Sequence, residues 1–406
     1  MKKAIIIGIA VIALVLIIGA VVLVAIFAGG ALDAFETPPT MQALLDEAGP
    51  GMLEEEAPEC EGVAWVSFQH EILVEFVERL YEDWGRLDSA HLDYLEEALA
   101  PLRETGRMTA VEQMLDPAAH SGEEILQNLH QFLSESPLLA EEEEELFQSR
   151  CEFINSKTLQ MLALRAQLDV RSDNLFAALE TLTGLLDRSD TESAAIRPML
   201  KEAVLPALSL MLSDPQFAAS PPVQEVVAEF EKTRSREDVA ADMRACLDEA
   251  AHQEAALREG LPLGAWVLTL GKDFTLLTSE KKWQAAVSYV TAYIELLHED
   301  PLQQEELRNE FERTEWRSYA LMSMSWLPRI HRGYWQDQIF SSLPRLTAVI
   351  EEYAVAHGEY PSEWPRIEAP GGFELLYTQE RDGYTLRLKE QDIAVEEMKV
   401  LWRVWK

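Results

Sequence analysis

Basic residues are scarce in this chain, which has 34 Lys and Arg against 71 Asp and Glu, a formal charge of -37 over 406 residues. Such a surface repels phosphate backbones and anionic lipid headgroups, which need positive counter-charge, so no nucleic acid is expected as a partner. It favours solubility and basic partners. Cysteine is almost missing: Cys60, Cys151 and Cys246 are far apart and form no CxxC or Cys/His cluster, which excludes a zinc ribbon and a dithiol redox centre. The eight histidines include no HExxH pair, and His70-Glu71 has no second His at the helical spacing a zincin needs. There is no GxSxG elbow, no GxxxxGK[ST] phosphate loop and no GxGxxG fingerprint. Acidic pairs are so abundant that none identifies a catalytic dyad. No catalytic residue, cofactor or metal ligand is therefore assigned.

Charge is also missing from one long stretch. Between Lys3 and Asp33 lie 29 uncharged, mostly aliphatic residues, whereas about 20 suffice to cross a bilayer as a helix. Residues 4–32 are expected to form a single-pass transmembrane signal-anchor helix. The apolar region of a cleaved signal peptide is shorter, roughly 7–15 residues. Lys2 and Lys3 precede it, and no further Lys or Arg occurs before Arg79. The positive-inside rule then places residues 1–3 in the cytoplasm and the bulk of the chain outside the inner membrane.

Beyond the anchor, residues 33–66 read as an acidic stalk rich in Pro, Gly and Glu, with one short helix at "MQALLDEA". From 67 to 334 the helical period dominates. "SFQHEILVEFVERLYEDW" places Ile72, Leu73, Phe76, Val77, Leu80, Tyr81 and Trp84 on one face. Further helices are expected at 88–104, 121–134, 138–168, 194–213, 236–259, 302–325 and 335–357. In "LRAQLDVRSDNLFAALETLTGLLDR" two apolar stripes flank "DVRSDN", a helical hairpin with Ser172, Asp173 or Asn174 as cap. Ser235 and Asp238 form an approximate capping box. Whether "LGAWVLTLGKDF" is a strand or a buried turn is undecided by its periodicity. At 373–389, apolar and polar residues alternate around Asp382-Gly383, the signal of a β-hairpin. The fold class is thus mostly α: an anchor, a stalk, an exodomain of antiparallel helical hairpins, and a small α+β unit over 335–406.

One cluster stands out as a surface for a partner. Residues 315–340 concentrate Trp316, Arg317, Trp326, Arg329, Arg332, Tyr334 and Trp335. Aromatic and Arg enrichment marks protein interfaces, and it also marks a core where helices meet.

The stretch "EEYAVAHGEYPSEW" ends a helix: Gly358 suits the left-handed cap, His357 sits in the last turn, and Pro361 prevents resumption. Tyr353, Gly358, Tyr360 and Pro361, followed by "YTQERDGYTLRL", resemble the helix-to-sheet joint in the soluble part of type II secretion pseudopilins. With the anchor and the "RAQLDVRSDN" hairpin, the chain is similar to a group of bacterial single-pass membrane-anchored helical proteins with no assigned activity. The resemblance implies an architecture and no mechanism. A prepilin carries a Gly-Phe cleavage site and a glutamate shortly after it; Lys2-Lys3-Ala4 followed by aliphatics has neither, so polymerisation as a pilin is not expected. The expected function is a membrane-anchored, non-enzymatic interaction or scaffold protein of the bacterial envelope, contacting the bilayer through residues 4–32 and an envelope protein through its exodomain. The alternatives are an exported hydrolase using carboxylates, or a cation- or solute-binding exodomain.

Overall fold

A computed structural model describes residues 37–48, 71–136, 156–192, 194–260, 280–298, 327–364, 367–381, 383–389 and 401–405, with isolated positions at 139, 140, 143, 324 and 326. The anchor expected at 4–32, most of the stalk, "LGAWVLTLGKDF" and the helix expected at 302–325 lie outside the described residues. Among the described residues no helix is long and apolar enough to cross a membrane.

The helices are α1 (Pro39–Ala48), α2 (Glu71–Glu82), α3 (Ser89–Thr105), α4 (Ala110–Met114), α5 (Gly122–Glu135), α6 (Ser156–Arg171), α7 (Leu175–Thr191), α8 (Arg197–Ser213), α9 (Pro215–Ala218), α10 (Pro221–Phe230), α11 (Arg236–Gly260), α12 (Glu280–Leu296) and α13 (Leu327–His357). The strands are β1 (Ile367–Glu368), β2 (Glu374–Glu380), β3 (Gly383–Leu388) and β4 (Leu401–Trp405). The chain is mostly helical with a small antiparallel sheet, in strand order β1-β2-β3-β4. It divides into two compact units, residues 1–55, 243–295 and 308–327 in one and 56–242, 296–307 and 328–406 in the other.

In the smaller unit, Thr40 donates from its N–H (3.1 Å) and its Oγ1 (2.5 Å) to the Glu280 carboxylate, tying the start of α1 to the start of α12. Met41, Trp283 and Tyr293 are buried in this unit.

In the larger unit, local signals start the helices. Thr109 and Ser121 each close a capping box at the heads of α4 and α5, Asp88 caps α3, and Ser235 and Asp238 exchange the expected bonds at the head of α11. The apolar stripes then meet: Leu73, Phe76, Val77 and Leu80 of α2 join Leu95, Leu99, Ile125, Leu129, Leu133 and Leu162 in one core. Helix α6 is central, packing against α2, α5, α7 and α8. Helix α8 is buried on nearly every side, which is why its sequence is apolar almost all round.

Inside that helix lie two cations, Arg197 and Lys201, 2% and 0% exposed. Asp337 of α13, also buried, receives Arg197 Nε at 3.1 Å and Lys201 Nζ at 2.6 Å. Lys201 also donates to Ser341 Oγ (2.7 Å) and the Lys232 carbonyl (2.6 Å), and Arg197 to Asp190 and the Ser189 and Lys232 carbonyls. Buried charge is tolerable only with such full pairing. Burial pushes the Lys201 amine down to about 8 against the pull of Asp337.

Helix α13 begins eight residues before the expected 335 and runs through the boundary placed at 334/335, because Asp337 and Ser341 bind it to α8 while its second half continues to the sheet. Gly333 is what lets it lie so close: a Cβ there would stand 1.8 Å from the Ala194 carbonyl oxygen. The helix ends as expected at Gly358, whose φ of 80° is left-handed and whose N–H donates to Ala354 O at 2.8 Å. Tyr360 then folds back, donating to Glu351 Oε1 at 2.8 Å and packing its ring on Tyr384. Tyr377 stacks on Tyr384 and donates to the Pro361 carbonyl. The β2–β3 hairpin pairs Glu380 with Gly383, so Gly383, expected in the turn, is instead the first residue of β3.

Candidate functional site

The aromatic and Arg cluster does not form one surface. Trp316 and Arg317 lie outside the described residues. Trp326 is 42% exposed, Arg329 is exposed and Arg332 half-buried. Tyr334 and Trp335 are each 5% exposed and serve the chain's own core. The Trp335 ring meets Tyr334 edge-on at 4.9 Å and Phe373 at 6.4 Å, while Tyr334 Oη accepts from Arg236 Nε at 3.3 Å. These two are therefore corrected from partner contact to packing: the helix face that carries them turns inward, towards the sheet and α11.

The larger unit instead opens a groove of about 1010 Å3 along α7, with walls from α6, the end of α5 and the start of α10. Its lining comprises a paired part and an unpaired part. Arg165 of α6 donates to Glu143 at 2.8 Å and to Thr181 Oγ1 at 2.7 Å, closing the floor. Along α7 itself stand Phe176, Glu180, Thr183, Gly184 and Asp187. Phe176 is 79% exposed, the most exposed of the large apolar side chains described. Among the described residues, Glu180 and Asp187 have no ion-pair partner.

A Ser-His-Asp set lies at one end. Asp169, 2% exposed, accepts from His130 Nε2 at 2.9 Å, and Ser172 Oγ lies 3.4 Å from His130 Nδ1. These are the residue types of a hydrolytic triad. The backbone argues against that use. The N–H groups of Ser172, Asp173 and Asn174 all donate to carbonyls of the last turn of α6, Leu168 to Val170. The serine's own N–H is therefore not free to stabilise an oxyanion, usually the largest single contribution to such catalysis. Asn174 Nδ2 also donates to Asp169 Oδ1, at 3.2 Å, in place of capping α7. The network ties α5 to the α6–α7 turn, where Asp173 takes a φ of 60°.

Two other polar clusters have equally local explanations. Lys201 and Ser341 are a Ser-Lys pair, but both are buried and Ser341 Oγ donates to the Asp337 carbonyl. Asp83, Asp88 and His91 place their ligand atoms within 4.8 Å of one another. Asp88, however, is the cap of α3, accepting from the N–H groups of Ala90 and His91 and from the His91 ring at 2.7 Å, bonds that hold its carboxyl below the usual range.

The sequence did carry a signal for the groove. The buried side of α7 is Ala178, Thr181, Leu182, Leu185, Leu186 and Ser189. Phe176 falls off that stripe, on the face shared by Glu180, Thr183 and Asp187, so an aromatic side chain sits where a helix ordinarily presents polar ones. No family model, curated protein or solved structure matches the chain.

Proposed function

We propose that this chain is a membrane-anchored, non-enzymatic interaction or scaffold protein of the bacterial cell envelope, held by residues 4–32 with its helical body outside the inner membrane. The observation that carries the reading is the α7 groove. It offers an exposed aromatic ring at the head of a stripe that carries two carboxylates, while its candidate catalytic groups are engaged with one another and with helix ends. Phe176 is a single exposed ring, so the reading rests on its place in a groove beside carboxylates and not on an extended apolar patch. The helix that carries the α8 clamp and ends at the antiparallel sheet supports the likeness to a pseudopilin-like joint, with β4 of that sheet packed back on α8.

The test is cross-linked affinity purification of the full chain from solubilised membranes. Reproducible recovery of at least one envelope protein is expected; repeated recovery of none would sink the scaffold reading.

A further inference from the structure

We infer that the α7 groove receives a cationic segment of a protein partner, one that places an apolar side chain beside Phe176 and two Lys or Arg side chains against Glu180 and Asp187. The inference rests on the scaffold reading for its context and on the groove for its chemistry.

Geometry sets the partner's pattern. Phe176, Glu180, Thr183 and Asp187 recur at spacings of four, three and four, so they form a single stripe on α7. Glu180 and Asp187 are one heptad apart, about 10 Å along the axis at 1.5 Å per residue. A helical partner meets that spacing with cations seven positions apart, which also share one face. Gly184 flanks the stripe beside Thr183 and carries no side chain, so one edge of the stripe is low.

Charge sets its sign. The nearest cation of the groove, Arg165, is engaged by Glu143 and Thr181, and His130 by Asp169. Among the described residues the stripe is left with two negative charges, on a chain of net -37, so an anionic partner is repelled and a cationic one is drawn in. The ring supplies what the charges do not: an aromatic face that stacks on aliphatic or guanidinium groups and acts as an anchor.

Any polycation will adhere to so acidic a protein, so the experiment must separate the groove from the general field. The detergent-solubilised full chain is titrated with a fluorescein-labelled helical peptide carrying two Lys seven positions apart and a Leu four positions beyond one of them, and with the same peptide bearing Glu for Lys. Saturable binding of the Lys peptide and none of the Glu peptide is expected. Phe176→Ala should weaken binding about 5-fold or more, and Glu180→Lys/Asp187→Lys at least 10-fold. All three positions are exposed or lie at the groove surface, and an unchanged melting temperature verifies that the variants fold. Equal affinity of wild type and both variants overturns the inference, because the general field barely notices one lost ring or two reversed charges. Absence of saturable binding overturns it too. Purification from membranes with the same variants keeps the two readings apart. Partners recovered equally by wild type and variants leave the scaffold reading standing and remove the groove; peptide binding without any recovered partner does the reverse.

Discussion

His331 is fully buried on α13, where its Nε2 accepts from Trp335 Nε1 at 3.3 Å. Burial pushes its imidazole down to about 4, against a bond to the Leu296 backbone that favours the charged form. The folded protein therefore holds His331 neutral while the unfolded chain protonates it below about 6.5. A base with a depressed folded pKa contributes stability that is complete above the unfolded value and lost as pH falls towards the folded one. Between pH 7 and pH 5, before most carboxylates protonate, wild type should lose about 2 kcal/mol more stability than His331→Gln does. Parallel losses in urea titrations of the two would show that His331 does not titrate in this way.

At the scale of elements, α8 and α13 are held by charge inside an apolar setting. Lys201, Arg197 and Asp337 leave no exposed route for a partner or water to replace a lost one. Asp337→Ala should destabilise the larger unit by roughly 3–5 kcal/mol, because it strands buried positive charge. Lys201→Met combined with Asp337→Leu should recover much of that, since Arg197 keeps Asp190 and the apolar pair needs no desolvation. Thermal unfolding of the two variants decides it: a double variant no more stable than Asp337→Ala would mean that the clamp is held by something other than this pairing. None of this was legible in the sequence. Lys201 looks there like a polar position on an amphipathic helix, and its partner lies 136 positions away. Several caps and the β-hairpin were legible, since they depend on neighbours: Ser235 with Asp238, Gly358 after His357, and a turn next to Gly383, although Gly383 itself opens β3.

For the whole molecule the distribution of charge is the main constraint. Two lysines before an uncharged stretch of 29 residues, and no basic residue again until Arg79, predict an N-terminus in the cytoplasm and a body outside it. An alkaline phosphatase fused after residue 60 should be active; an inactive fusion with normal abundance reverses the orientation. The groove was partly legible at this scale. Phe176 stands off the buried stripe of α7 in the sequence alone, but the walls of the groove come from α5, α6 and α10, and their convergence depends on packing that periodicity does not encode.

What the sequence by itself determined is therefore local: which of the described segments are helical, which side chains cap several of them, and that the last long helix ends at Gly358. These follow from side chains acting on their own backbone and on their neighbours within a turn. Only the tertiary structure decided which aromatic rings are core and which are surface. Tyr334 and Trp335 are drawn inward because α13 packs against other elements on that side, whereas Phe176 is left outside because no described element covers that face of α7. A side chain's exposure is set by what lies opposite it, and what lies opposite is fixed by contacts between residues distant in the chain.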